Sequence, residues 1–131
     1  MITKLNMVTS AMKTSNWWLD SGATIHTCKN KAWFKTYEEL KKPKEVLMVN
    51  HNSAKVLGKK TIELYFTSGQ KLSLLNAFHV PKIRKNLVSA SLLSNKEFKI
   101  VLESDKVIVT KSEMFVGKGY SCDDMFKFSI N

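Results

Sequence analysis

The stretch N-W-W-L-D-S-G-A-T-I-H, residues 16–26, places one carboxylate, Asp20, between a bulky apolar run and a turn of small residues. An Asp delivered to a tight turn by a buried strand is held in position. Ser21 and Thr24 set hydroxyls on either side of it, and Gly22 and Ala23 leave room for a second chain or a substrate, glycine also being free to take angles a side chain forbids. The chemistry this suits is hydrolysis by paired carboxylates. Two acids share one proton, hold a water molecule against a carbonyl, and split into acid and base because charges that close cannot both ionise. The chain has four Asp residues, and Asp105, Asp123 and Asp124 stand in E-S-D-K-V and C-D-D-M-F, without a following Ser/Thr-Gly. A single copy suffices only where two chains meet at a two-fold axis and each contributes Asp20.

The elements that must position Asp20 read as strands. W-W-L-D-S-G-A-T-I-H-T-C, E-V-L-M-V-N, A-K-V-L-G, T-I-E-L-Y-F, F-K-I-V-L-E, K-V-I-V-T-K and M-F-K-F-S-I are short, alternating and rich in β-branched and aromatic residues. The fold class expected is all-β. Residues 61–78 predict a hairpin bent at Ser68–Gly69, with Ile62, Leu64 and Phe66 on one face of its first strand. Helical pieces are expected around Lys31–Leu40 and Leu87–Leu93, and K-K-P-K at Lys41–Lys44 as a surface turn. Trp17, Trp18, Phe66 and Phe78 are expected in the core, with His26 and His79 packing or bonding within strands rather than catalysing.

With 131 residues the chain fits one domain. Its formal charge of +10 is carried by twenty lysines and one arginine, Arg84, a balance that favours acidic partners or non-specific nucleic-acid contact over base reading, which leans on Arg forks. Cys28 and Cys122 form neither a C-x-x-C pair nor a disulfide framework, so a reducing compartment is expected. His26 and Cys28 make half a metal site with no matching pair of ligands, so no metal is expected. No apolar run approaches the roughly 20 residues of a membrane span and no signal-peptide core is present, which predicts a soluble cytoplasmic protein without membrane contact. A serine hydrolase built on Ser21 is a poor fit, since the G-x-S-x-G elbow is missing.

W-W-L-D-S-G-A-T-I-H, then L-L-N-A-F-H-V-P-K-I-R-K-N-L-V-S-A-S-L-L-S-N-K-E-F-K-I-V-L-E-S-D-K-V-I-V, then F-V-G-K-G-Y-S-C-D-D-M-F-K-F-S-I-N closely resemble the protease region of the Gag-Pol polyprotein of copia-type LTR retrotransposons. The resemblance implies a small retropepsin-like closed β-barrel with a flap hairpin and one or two short helices. It divides the chain into a tail at 1–14, the barrel at 15–111 and the start of a pre-integrase segment at 112–131, a piece of a longer or degenerate element. By the same resemblance Asp20 is the catalytic aspartate, and Ser21, Gly22, Ala23 and Thr24 support its loop, the Ser21 hydroxyl bonding across the dimer axis. Asn50, His51, Asn52, Ser53 and Ala54 form the flap tip that closes over a peptide. Leu87, Val88 and Ser89 brace the catalytic loop from behind. The implied activity is that of an aspartic endopeptidase, a homodimer without cofactor, cutting segments of its own polyprotein in the cytoplasm or in virus-like particles.

Lys60, Glu97, Glu113 and Asp124 stand where the family pattern has Gly. If Gly serves a positive φ there, each replacement costs of order 1 kcal/mol, against a margin of roughly 5 to 15 kcal/mol for a small domain. The alternative is therefore a catalytically silent β-barrel remnant acting as an interaction or non-specific nucleic-acid-associated module.

Overall fold

A computed structural model describes residues 16–48 and 52–131. The described residues form ten strands: β1 (Trp17–Asp20), β2 (Thr27–Cys28), β3 (Phe34–Leu47), β4 (Ser53–Tyr65), β5 (Lys71–His79), β6 (Asn86–Ser89), β7 (Phe98–Glu103), β8 (Lys106–Lys111), β9 (Met114–Cys122) and β10 (Met125–Phe128). An α-helix, α1 (Ala90–Asn95), follows β6, and a 3-10 turn at Lys31–Trp33 precedes β3. All ten strands join one sheet in the order β3-β4-β5-β2-β6-β1-β10-β9-β8-β7. The β1/β6 and β2/β5 pairs are parallel, and the rest are antiparallel.

The expected all-β class is what forms. The ladder is nonetheless open, with β3 and β7 as its two edges, so the closed barrel implied by the resemblance is not present in the hydrogen bonding. Instead the sheet curls. Phe66, just past β4, makes an isolated bridge to Ile130, the Thr67 N–H donates to the Ser129 carbonyl at 2.9 Å, and the Asn131 N–H donates to the Tyr65 carbonyl at 2.8 Å. These bonds bring the two halves around a common core of Trp17, Leu19, Ile62, Leu64, Phe66, Leu72, Leu74, Val88, Val107, Val109 and Phe128. Phe66 packs edge-on against Phe128 at 5.0 Å and lies directly over Gly117, where any β-carbon would collide with its ring. Residues 112–131 belong to this same sheet, because β10 pairs with β1.

The hairpin bend falls at Ser68–Gly69, with Gly69 at φ +92°, and Ile62, Leu64 and Phe66 are fully buried, as the alternation predicts. The helix expected over Lys31–Leu40 is mostly strand. Phe34, Tyr37 and Leu40 are half-buried at a spacing of three, which mimics a helix, but a register shift between Phe34 and Thr36 moves the alternation by one residue. Lys41–Lys44 is no turn either. It is an exposed bulge inside β3, between the pairs Glu39↔Gly58 and Lys44↔Val56, and an edge strand tolerates Pro43 there because no ladder bond is lost. Of the helix expected at Leu87–Leu93, Leu87 and Val88 belong to β6, whose parallel pairing with β1 explains the apolar run, and α1 begins at Ala90.

A second, smaller cluster gathers Ala54, Val56, Val80 and Ile83, with Leu40, Val46, Met48 and Phe78 against it. Strand β4 thus serves both clusters, and between its two buried runs stands Lys60 at φ +152°.

Candidate active site

Trp17, Trp18 and Leu19 are buried, and alternation sends Trp17 and Leu19 into the main core while Trp18 and Asp20 share the other face of β1. Asp20 is half-buried at the strand's end. Its Oδ1 accepts the Gly22 N–H at 2.8 Å, and its carbonyl accepts the Ala23 N–H at 3.4 Å, so the loop folds back on the carboxylate. Gly22 takes no positive φ, and a β-carbon there would sit 3.5 Å from Asp20 Oδ1, an ordinary contact. Backbone freedom is therefore not what Gly22 supplies, contrary to the sequence expectation; its N–H is. Ser21 and Thr24 are exposed and Ala23 is half-buried.

Strand β6 runs alongside with Asp20 in register with Ser89. Ser89 is fully buried and makes three contacts that matter. Its hydroxyl donates to the Ala23 carbonyl at 2.7 Å and accepts the Leu92 N–H at 3.2 Å, capping α1. Its N–H donates to His26 Nδ1 at 3.0 Å. A ring nitrogen that accepts a backbone N–H cannot carry a proton, and burial pushes the His26 pKa down to about 4. The loop is thereby clamped between a serine hydroxyl and a neutral imidazole. Leu87 and Val88 complete the bracing strand, Val88 in the main core and Leu87 half-buried.

Asn50 and His51 lie outside the described residues. Asn52 to Ala54 form the returning arm of the β3–β4 hairpin, where the Met48 N–H donates to the Asn52 carbonyl at 2.8 Å. Ala54 is buried in the smaller cluster against Val80 and Ile83, so the far part of the hairpin rests on the 80–85 segment. That segment is tied to β2 by Lys29, whose ammonium donates to the Pro81 and Ile83 carbonyls at 3.0 and 3.2 Å. Asn86, buried and unremarked in the sequence, joins three strands of chain. Its amide oxygen accepts the Lys29 N–H at 2.8 Å and its amide nitrogen donates to the Asn16 carbonyl at 3.1 Å.

His79 Nδ1 lies 2.9 Å from the Tyr37 hydroxyl, with burial lowering the His79 pKa; burial and then Glu39 raise that of Tyr37. Gly58 makes this pair possible, since a β-carbon there would overlap the Tyr37 ring. Both histidines therefore bond within the fold. Cys28 Sγ donates to the Asn30 carbonyl at 3.2 Å, and among the described residues no three His, Cys, Asp or Glu side chains gather into a metal-binding group. No helix among them is long and apolar enough to cross a membrane.

A groove of about 800 Å³ lies between β5, α1 and the β8–β9 hairpin, with His26, Leu92, Phe98 and Phe115 in its walls, but Asp20 is not among them. It backs onto the clamp and not onto the carboxylate. The exposed Asp123–Asp124 turn is nearer in the ladder: the β1–β10 register runs through Leu19↔Phe126, so β10 begins at Met125 beside the end of β1.

An all-β domain built on one curled mixed sheet, with a single clamped Asp-Ser-Gly loop, is the class these elements define. The family described as Pol polyprotein, beta-barrel domain, matches residues 17–98, more than half of the chain, and the chain belongs to that family. The match runs from the first residue of β1 to the first of β7, and so takes in the Asp20 loop, the β3–β4 hairpin and Ser89. No curated protein matches this sequence.

Proposed function

We propose that this Pol polyprotein domain is an aspartic endopeptidase of the retropepsin class, from a copia-type Gag-Pol polyprotein, active as a homodimer that cuts its own precursor in the cytoplasm or in virus-like particles. The observation that carries the reading is the clamp: Asp20 ends a buried strand and faces away from the core, and Ser89 and His26 hold its loop from behind. In this reading the two Asp20 carboxylates of a dimer share one proton. The ionised one takes a proton from water as the water oxygen bonds to the peptide carbon, and the protonated one gives its proton to the carbonyl oxygen. The tetrahedral diol then collapses, the nitrogen is protonated, the C–N bond breaks, and the pair returns to its starting state. The β3–β4 hairpin acts as the flap over the peptide, and closure of the curled sheet into a working barrel belongs to the same proposal.

The test is cleavage of a diverse peptide library at about pH 5 to 7, the window for a proton-sharing pair, over a range of protein concentrations. Cleavage per subunit that rises with concentration and disappears in Asp20→Asn supports the dimer. Retention of first-order behaviour at all concentrations, with loss of cleavage in Asp123→Asn/Asp124→Asn, places the second carboxylate in the same chain and defeats the two-fold reading. A second reading, non-specific nucleic-acid association, is favoured by one feature: no Asp or Glu occurs from residue 64 to 96, while Lys82, Arg84 and Lys85 crowd one segment beside Lys29. Steeply salt-dependent RNA or DNA binding by a protein that cleaves nothing supports it.

A further inference from the structure

The sheet ends in two edges, and they differ in kind. Strand β3, at one end, is interrupted by its bulge at Lys41–Lys44 and carries Pro43 there among lysines, so it offers no regular row of free backbone groups. Strand β7, at the other end, reads Phe-Lys-Ile-Val-Leu-Glu, has no proline, and pairs with β8 without a register shift. Among the described residues no strand pairs with its outer side. Val101 is 36 % exposed and Leu102 is 65 % exposed along this open edge. A regular, apolar, unpaired edge is a template for another strand.

The register decides what kind of strand fits. The two-residue turn Ser104–Asp105 closes the β7–β8 hairpin on Glu103↔Lys106, the pair that exchanges both backbone bonds. Alternation then turns the N–H and C=O of Glu103, Val101 and Lys99 toward β8, and those of Leu102, Ile100 and Phe98 toward solvent. A docking antiparallel strand must set outward groups against outward groups. For a second β7 across a two-fold axis, the axis can therefore fall at Ile100, Val101 or Leu102. At Val101 it sets Ile100 against Leu102 with backbone bonds and Lys99 against Glu103, each pair occurring twice. At Ile100 it sets Lys99 against Val101, and at Leu102 it sets Glu103 against Val101, so only the central register matches the two charges of the strand. Neither Lys99 nor Glu103 has an ion-pair partner among the described residues. The strand is also neutral within a chain of net charge +10, which keeps like-charge repulsion low at this edge.

We propose that the β7 edge is a docking surface for a second copy of this chain, the two β7 strands pairing antiparallel about a two-fold axis at Val101. Val101 then meets its own copy on the outer face. On the other face Leu102 extends the core-facing row of Phe98 and Ile100 onto the partner's Ile100. The contact is isologous, so it uses both β7 edges at once and closes at two chains, while the interrupted β3 edges end the joined sheet. The proposal stands apart from the endopeptidase reading. Of β7, only Phe98 lies within the residues 17–98 that match the family.

The experiment is sedimentation velocity over a range of concentrations, on the whole chain carrying Asp20→Asn and Cys122→Ser, which removes self-cleavage and the exposed thiol. Expected is self-association that grows with concentration. Lys99→Glu sets Glu against Glu twice and should weaken it about tenfold, and Lys99→Glu/Glu103→Lys should restore it. On oxidation, Val101→Cys should be captured as a disulfide-linked dimer, because α-carbons of a non-hydrogen-bonded pair lie about 4.5 Å apart, within disulfide range. Lys99→Cys, about 14 Å along the strand from its own copy, should not be captured. A monomer at every concentration overturns the surface. So does self-association indifferent to Lys99→Glu, which would lie elsewhere on the molecule. A loss that the double substitution fails to reverse, or equal capture of the two cysteine variants, overturns it as well.

Discussion

The Ser89 hydroxyl donates to the Ala23 carbonyl at 2.7 Å, joining the strand behind the candidate site to the loop that carries Asp20, although the two residues are 66 positions apart. The same oxygen caps α1 by accepting the Leu92 N–H. Ser89→Ala should therefore lose a helix cap and strand a buried carbonyl together, at a cost of about 2 to 3 kcal/mol in chemical denaturation. Asp20-dependent cleavage should fall further than stability alone accounts for. A variant as stable as wild type would remove the clamp from the account.

Stability should fall on acidification through His26. Its folded pKa of about 4 lies below the ordinary 6.5, so between those values the unfolded chain binds more protons than the folded one. The contribution is complete above pH 6.5 and is lost as pH falls towards 4, up to about 3 kcal/mol. Urea unfolding at pH 7.5, 5.5 and 4 measures it. His26→Asn, whose amide oxygen can still accept the Ser89 N–H, should flatten the slope; an unchanged slope would assign the acid sensitivity elsewhere.

Lys60, Glu97, Glu113 and Asp124 have φ of +152°, +70°, +67° and +66°, a region that favours glycine. Glu113 and Asp124 are the second residues of two-residue turns, following Ser112 and Asp123, which also have positive φ. Glu97 follows the end of α1, with its N–H on the Ser94 carbonyl at 3.1 Å. Replacing each by Gly should stabilise the domain by about 1 kcal/mol, with Lys60→Gly the largest gain and Asp124→Gly the smallest, because Asp tolerates the left-handed region better than Lys or Glu. Thermal melting should rise by about 4 °C per kcal/mol. A loss on Lys60→Gly would mean that its side chain contributes more than its backbone costs.

Gly117 and Gly58 both lie beneath aromatic rings, but the rings differ in freedom. Phe66 over Gly117 is fully buried, whereas Tyr37 over Gly58 is half-buried near the β3 edge. Gly117→Ala should cost about 3 kcal/mol, the upper end of overpacking, and Gly58→Ala about 1 kcal/mol as Tyr37 swings out and abandons His79. Equal costs in equilibrium unfolding would contradict this ranking.

Much of this is legible in the sequence, because alternation is a local property. Ile62, Leu64 and Phe66 announce a buried strand face, and W-W-L-D-S-G announces a strand ending at a carboxylate in a turn. The helix expected near Lys31–Leu40 failed for a reason that no local pattern contains. A bulge at Phe34/Thr36 is defined by what β4 does opposite, and it shifts the half-buried positions to a spacing of three. Leu87 and Val88 likewise read as helical until a parallel partner, β1, is supplied.

By itself the sequence determined the all-β class and the place of Asp20 at a strand end, and its resemblance to a family pattern marked Lys60, Glu97, Glu113 and Asp124, four of the eight described non-glycine residues that take positive φ. Tertiary structure alone decided that Ser89 and His26 meet behind the loop, and that β7 ends the sheet as an open edge. It also decided that the sheet curls without closing its ladder. The physical reason is range. Side-chain alternation and turn chemistry are set by neighbours a few residues away, whereas the pairings at the centre of the sheet, such as Thr27 with Phe78 and Trp18 with Lys127, join residues 50 or more positions apart, which sequence periodicity does not encode.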